Sequence, residues 1–489
     1  MRVTFRGWWL VTALILVFIF SCRSDKSSLL SKKYSPVQLQ KDAALLEKVV
    51  MEMHPAVGLY TPIERLQKDF TEFRNRLTDS LSQGEFRLRI KLLLDELHCG
   101  HTEVLYSKRF YKQVKKLKFN YSPYVFLPAQ DKLYVLGYLG KKQDSLVRKG
   151  ALVEQINGIG ADSILRYARR FVSSDGYGKS GKDYYIQLGF NSYFPALFGR
   201  PDTFQLKVQD GKQRRSLSYA ALRLKSLPPI PLGTKDDSLF RLYRHAKLKF
   251  RYIDSSQSVM LMKLEKFSHG GEVRAYRRFF RRLEKNNTQQ LIIDLRGNGG
   301  GSLANSYRLL SYLMDTVCTQ TLKSRVRHFP ERRHTTGDLA FRFTRFAYKI
   351  IGRHEVRHDT DYFIYTLRPR KKRHYDGKIF VLVNGGSYSA SCLVASYLKA
   401  SGRAVIVGQE TGGGEEGCNA GITPFYTLPA TGIQVRIPAF RVEHDLCRKP
   451  KGRGVIPDYP LDYSFKDLVS RRDLELQKVK ELIRKEQNR

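Results

Sequence analysis

Two segments of this sequence share one pattern, and together they restrict the fold more than any other feature. Residues 291–301 read LIIDLRGNGGG and residues 379–391 read IFVLVNGGSYSAS. In each, a short unbroken apolar run meets a glycine-rich turn and then a stretch with helical spacing. Such a run, bounded by turn residues, is the mark of a strand buried on both faces. Repetition of strand, glycine turn and helix predicts an α/β core. Residues 259–264 and 404–407 supply further strands. Residues 276–283, 302–314 and 389–400 supply helices. The core is expected over residues 240–489.

The 489 residues exceed what one small core needs. Residues 35–110 read as a helical bundle. Ser35-Pro36 and Thr61-Pro62 both look like a cap followed by proline at the first helical position, and Ser82 with Glu85 forms a capping-box pattern. Residues 118–225 turn to short strands such as 134–136 and 152–156, the latter followed by an Asn157-Gly158 turn. The string RKGALVEQINGIGADSIL resembles a PDZ domain, a fold that captures extended peptides by strand addition, with residues 174–200 reading as an insertion. Leu227-Pro228-Pro229-Ile230-Pro231 is a break. Residues 324–375 are rich in Arg, His and aromatics. A lid, a membrane-facing patch and a plain insertion all fit them.

Arg2 and Arg6 precede an apolar run over residues 8–20, then Ser21 and Cys22. The run is too short to cross a bilayer comfortably and reads as a signal peptide. Ile19-Phe20-Ser21-Cys22 resembles a bacterial lipobox, which implies acylation of Cys22, residues 23–34 as a tether, and a lipid-anchored protein of the cell envelope. The other cysteines, Cys99, Cys318, Cys392, Cys418 and Cys447, show no CxxC spacing, so buried thiols are expected and no metal site. An oxidising compartment would allow one disulfide, with Cys418 and Cys447 as the candidate pair. The formal charge is +40. It is scattered along the chain with no nucleic-acid motif beside it. Attraction to anionic lipid or lipopolysaccharide and a merely solvated basic surface are both consistent with it.

The glycine turns are also where chemistry can sit. Ser389 falls where a strand meets a helix, and the free N–H groups there can stabilise an oxyanion. Read alone, such a serine is more often a helix cap. The loop at 294–301 can turn its N–H groups toward a developing negative charge. It lacks the GK[ST] ending of a P-loop and the GxGxxG spacing of a dinucleotide fold.

Taken together, DLRGNGGG at 294–301 and SYSAS at 387–391 resemble the C-terminal processing (tail-specific) proteases and the related tricorn-core serine peptidases. GRAVIVGQETGGG at 402–414 and GVIPDYPL at 454–461 extend the likeness. Met53-His54-Pro55 and Leu97-His98-Cys99-Gly100-His101-Thr102 match the extracellular bacterial branch. The resemblance implies a multidomain α+β chain: an N-terminal helical bundle, a PDZ-like β-rich domain and a ClpP/crotonase-like α/β peptidase core. It implies Ser389 as nucleophile, with oxyanion donors at Ala390 and at Gly300 or Gly301.

A serine hydroxyl needs a base. Many family members carry a lysine where this chain has Thr411-Gly412-Gly413-Gly414, so a Ser-Lys dyad is not expected. The tricorn-like branch uses a histidine after an N-terminal helix, which corresponds to His101. Its pattern adds a serine just before the histidine, replaced here by Gly100, and a glutamate before the terminal G-V-x-P-D string. Glu443 is the candidate, with Asp445 and Glu416 as rivals. The expected activity is hydrolysis of peptide bonds through an acyl-enzyme on Ser389, with no cofactor and a peptide or protein as substrate. The departures at Cys99, Gly100 and the lysine position also allow a catalytically inactive peptide-binding protein on the same scaffold.

Overall fold

The computed structural model describes residues 28–140, 146–228, 241–243, 247–268, 270, 272–445 and 452–488. The signal peptide with Cys22, residues 23–27 of the tether, residues 229–231 of the proline-rich break, and Cys447 lie outside the described residues.

The helical opening forms largely as its spacing implies. Ser35 accepts from the Gln38 N–H, and the Gln38 side chain accepts from the Ser35 N–H, at the start of helix Pro36–Met53. Ser82 and Glu85 do the same for helix Gln83–Leu94. Thr61 is different. The cap of helix Ile63–Asn75 is Pro62, without a side-chain bond, and the Thr61 hydroxyl donates to Glu96 O at 2.6 Å. A tertiary partner has taken the hydroxyl that local sequence would assign to capping.

Residues 118–225 hold an antiparallel sheet in the order Gln213–Ala220, Thr203–Asp210, Leu152–Ile156, Lys132–Tyr138, Tyr124–Ala129. Asn157 and Gly158 turn with φ of 52° and 77°, the signature of a tight hairpin. Residues 174–200, read above as an insertion, are packed into this domain. They form helix Ser180–Phe198, whose Ile186, Phe190 and Phe194 share one core with Phe126, Val153 and Leu206 of the sheet. Aromatic and aliphatic residues crowd this helix, and the sheet buries them.

The core sheet runs in the order Arg241–Tyr243, Leu248–Tyr252, Val259–Leu264, Gln290–Asp294, Lys378–Val383, Ala404–Gly408, Tyr459–Pro460. The strands from Val259 onward pair in parallel. Helices Glu272–Lys285, Leu303–Ser311 and Ala390–Ala400 contribute to the core on one face. Helix Leu474–Gln487 covers the other. Because the central strands are parallel, their C-terminal ends, at Asp294 and Val383, open side by side. The two glycine turns therefore emerge together, as in other open α/β sheets whose sites lie at that edge.

Residues 324–375 are built into the core. Strands Arg353–Arg357 and Thr360–Leu367 join Cys318–Ser324, Phe440–His444 and Gly417–Ala420 in a second, antiparallel sheet. Helix Asp338–Ile351 covers it through Phe341, fully buried against Phe329 and Phe440. The N-terminal bundle docks on this side, and the two share one hydrophobic cluster. Two polar attachments fix its register. Strand Glu103–Leu105 pairs with Gln434–Arg436. Buried Asp42 accepts from the N–H groups of Ala430 and Thr431 and from the Thr431 hydroxyl, at 2.8, 2.9 and 2.6 Å.

Candidate active site

Ser389 stands at the end of the turn between strand Lys378–Val383 and helix Ala390–Ala400. Its φ is 54° and its ψ is −120°, and its side chain makes no capping bond. A non-glycine residue held there is strained and persists only where its surroundings impose it. The capping explanation for this serine is thereby removed. The surroundings are clear. Ser387, fully buried, donates to Leu295 O at 2.8 Å and accepts from the Asn384 N–H. The Tyr388 N–H donates to Asn298 O at 3.0 Å. The bonds to Leu295 and Asn298 clamp the serine turn to the 294–301 loop. Ser389 is 7% exposed, and its Oγ lies 4.0 Å from the Cys418 thiol.

The 294–301 loop is anchored below by charge. Arg296 binds Asp294, Asp473 and Glu475, all largely buried, and so ties the loop to helix Leu474–Gln487. Gly300 packs directly on the serine, and a β-carbon there would lie 2.7 Å from Ser389 Cβ. Its N–H is already donated to Asn298 Oδ1 at 2.9 Å, so Gly300 is not available as an oxyanion donor. Among the described residues, the N–H groups of Gly301 and Ala390 have no protein partner. Ala390 adjoins Ser389 in the chain, and Gly301 follows Gly300, which packs on the serine.

The glycine run at 412–414, which carries no lysine, packs against the serine turn. A β-carbon on Gly412 would meet Gly385 O at 2.2 Å, and one on Gly413 would come within 3.0 Å of Ser389 N. Side chains there are excluded by the packing of the serine turn itself.

His101 arrives from the bundle. The chain turns at His98, φ 46°, and His101 O accepts from Arg436 Nε at 3.1 Å. The imidazole packs on the Tyr388 ring, centroids 5.5 Å apart. It is not hydrogen-bonded to Ser389, and its Nδ1 is buried without a partner. Burial holds its pKa below the usual histidine value, against the opposing pull of Asp175. The ring is therefore neutral near neutral pH, the form a base requires. His54, in the Met-His-Pro segment, is structural. Its Nδ1 accepts from the Ala56 N–H at 3.0 Å and its Nε2 meets Thr102 at 2.7 Å.

Glu443, the glutamate expected to orient the histidine, pairs instead with Lys323 and with Arg441 Nε. Glu416 accepts from the Tyr60 hydroxyl and the Gly452 N–H. Asp445 is exposed and accepts from Thr319. None of the three is bonded to His101. The carboxylate that reaches this corner is Asp175, 3% exposed. Its Oδ1 accepts from the Gly100 N–H at 2.9 Å. Its Oδ2 is buried without a well-aligned bond, as is the hydroxyl of Tyr388 that faces it. That hydroxyl lies 1.5 Å from where a β-carbon on Gly100 would sit. Burial, then the charge of Asp175, raises the Tyr388 pKa well above the usual tyrosine value, so the group remains a donor.

Sequence reasoning missed Asp175 and Tyr388. The only signal for Asp175 is its place in the polar, glycine-containing string Ser173-Ser174-Asp175-Gly176-Tyr177-Gly178. Tyr388 reads as a spacer between serines. Cys99, Cys318, Cys392 and Cys418 are buried free thiols. A separate cleft of about 620 Å³, lined by Asp131, Arg169, Asp183, Arg296 and Glu410, opens between the middle domain and the core and does not include Ser389.

Residues 258–461 match the model of peptidase family S41. The core is an S41 peptidase domain, of serine type by family. Among solved structures, the chain is similar to mature CPAF complexed with lactacystin, at 16% identity and a TM-score of 0.62, over 92% of this chain and 98% of that one. Mature CPAF alone gives 15% identity and a TM-score of 0.59, over 89% and 94%. The photosystem II D1 C-terminal processing protease gives 16% identity and a TM-score of 0.39, over 87% and 93%. At such identities, the CPAF likeness shows a shared fold. No curated protein matches the chain.

Proposed function

We propose that this protein is a serine endopeptidase in which Ser389 is the nucleophile and His101 the base. Ser389 attacks the scissile carbonyl and His101 takes its proton. The N–H groups of Gly301 and Ala390 receive the oxyanion. His101 then returns the proton to the leaving amine, and water hydrolyses the acyl-enzyme. Asp175 and Tyr388 hold and polarise the histidine, in the place the tricorn-like pattern gives to a serine and a glutamate. The middle domain, in its PDZ-like reading, presents the substrate as an extended strand. Residues 1–22 support export and lipidation at Cys22, with the enzyme held at the cell envelope.

The observation that carries the reading is the strained, uncapped Ser389 beside two unpartnered N–H groups. A fluorophosphonate probe on the purified protein tests it. Labelling should map to Ser389 and disappear in Ser389→Ala, together with peptide cleavage. Cleavage that survives Ser389→Ala would overturn it. The missing hydrogen bond between Ser389 and His101 favours one second reading, a peptide-binding protein on the same scaffold. That reading predicts peptide binding with no labelling at all.

A further inference from the structure

Helix Asp338–Ile351 has two faces. Phe341 on one is fully buried, and Arg345 beside it is paired with the buried Asp361. Along the other, Leu339, Phe343, Phe346 and Ile350 follow at intervals of four, three and four residues. They form one stripe, with exposures of 79, 72, 61 and 69%. Among the described residues nothing covers it. Exposed Arg342 and Lys349 lie along one flank. The only acidic residue of the helix is Asp338, in its first turn. Large side chains aligned in this way, in water, are a contact surface waiting for a partner.

Charge decides which partner. Residues 324–375 hold fourteen Arg and Lys against five Asp and Glu, within a chain of net +40. A second copy docking through the same stripe would bring like charges together. Nucleic acid would engage the cations and leave the phenylalanines in water. An anionic lipid surface satisfies both at once. The acyl boundary takes the apolar stripe, and the headgroups take Arg342 and Lys349 on its flank.

We infer that helix Asp338–Ile351 is an interfacial membrane-docking helix, binding anionic phospholipid through Leu339, Phe343, Phe346 and Ile350. It would hold the peptidase core flat against the bilayer, independently of any acyl chain at Cys22. The chain's only tryptophans are Trp8 and Trp9, so an indole can be placed on the stripe as a sole reporter. The experiment uses the full chain carrying Trp8→Phe, Trp9→Phe, Cys22→Ala and Phe346→Trp, mixed with vesicles of phosphatidylcholine alone or with phosphatidylglycerol. The expected result is a blue shift and quenching by brominated acyl chains with the anionic vesicles only. Both should weaken at high salt and be lost when Leu339→Glu and Phe343→Glu are added. An indole that stays water-exposed with both vesicles overturns the inference. So does one already shifted before lipid is added, in a protein that sediments as a dimer, because the stripe then serves a second copy.

Discussion

Gly100→Ser would restore the residue that the tricorn-like pattern places before its histidine, yet the packing here predicts a loss. A β-carbon at 100 would lie 1.5 Å from Tyr388 Oη, 2.4 Å from Cζ and 3.0 Å from Cε1, where ordinary contact begins near 3.4 Å. The ring would have to retreat by about 2 Å. It is 6% exposed, packs on His101 and is held through its N–H to Asn298. Overpacking of this kind costs about 1–3 kcal/mol. The larger effect falls on chemistry. Tyr388 is joined to Ser389, and a misplacement of about 1 Å can cost about a hundredfold in rate. Fluorophosphonate labelling rates and urea midpoints measure both. Tyr388→Ala alone should destabilise by about 3–5 kcal/mol through its cavity. In that background the added serine should cost much less, a coupling of about 0.5–3 kcal/mol. If Gly100→Ser keeps the parent labelling rate and midpoint, Tyr388 does not occupy that space and its assigned role fails.

The two carboxylate assignments can be separated by pH. Asp175 raises the His101 pKa against burial, so Asp175→Asn should move the acid limb of kcat/KM to lower pH while lowering the rate about tenfold or more. Glu443→Gln, whose partners are Lys323 and Arg441, should leave that limb in place, and the reverse outcome would restore Glu443 as the orienting group. His54 is held neutral by burial, its pKa lowered to about 3, and His98, His101 and His444 are lowered too. An unfolded chain takes up these protons from about pH 6.5 downward, at about 1.4 kcal/mol per pH unit per group. The urea midpoint should therefore fall between pH 7 and 5, and His54→Gln should flatten that fall. Arg296→Met leaves Asp294 and Glu475 buried and unpaired, so a loss of about 3–5 kcal/mol is expected in chemical denaturation.

How far the sequence was legible depends on whether a residue acts through its neighbours in the chain. The capping boxes at Ser35 and Ser82 close within three residues, and both form. Thr61 failed because a backbone oxygen 35 residues away claimed its hydroxyl. The alternation of apolar runs and glycine turns made the α/β core readable, because buried parallel strands need just that pattern. The packing of helix Ser180–Phe198 was not legible because its apolar residues repeat no simple amphipathic period. Its burial comes from a sheet on one side and a neighbouring helix on the other.

The same division runs through the site. By itself the sequence determined the two turns that meet, the serine between them and the absence of a lysine, because strand, turn and helix preferences are local. Tertiary structure decided which groups complete the site. Gly300 spends its N–H on Asn298, which leaves Gly301 beside Ala390. Glu443 is held by two cations. Asp175 comes from another domain to meet Gly100, and the Tyr388 hydroxyl stands where a side chain on that glycine would be. Those outcomes turn on which donors and volumes lie within about 3 Å after the hydrophobic cores have docked, and spacing along the chain carries no record of that distance.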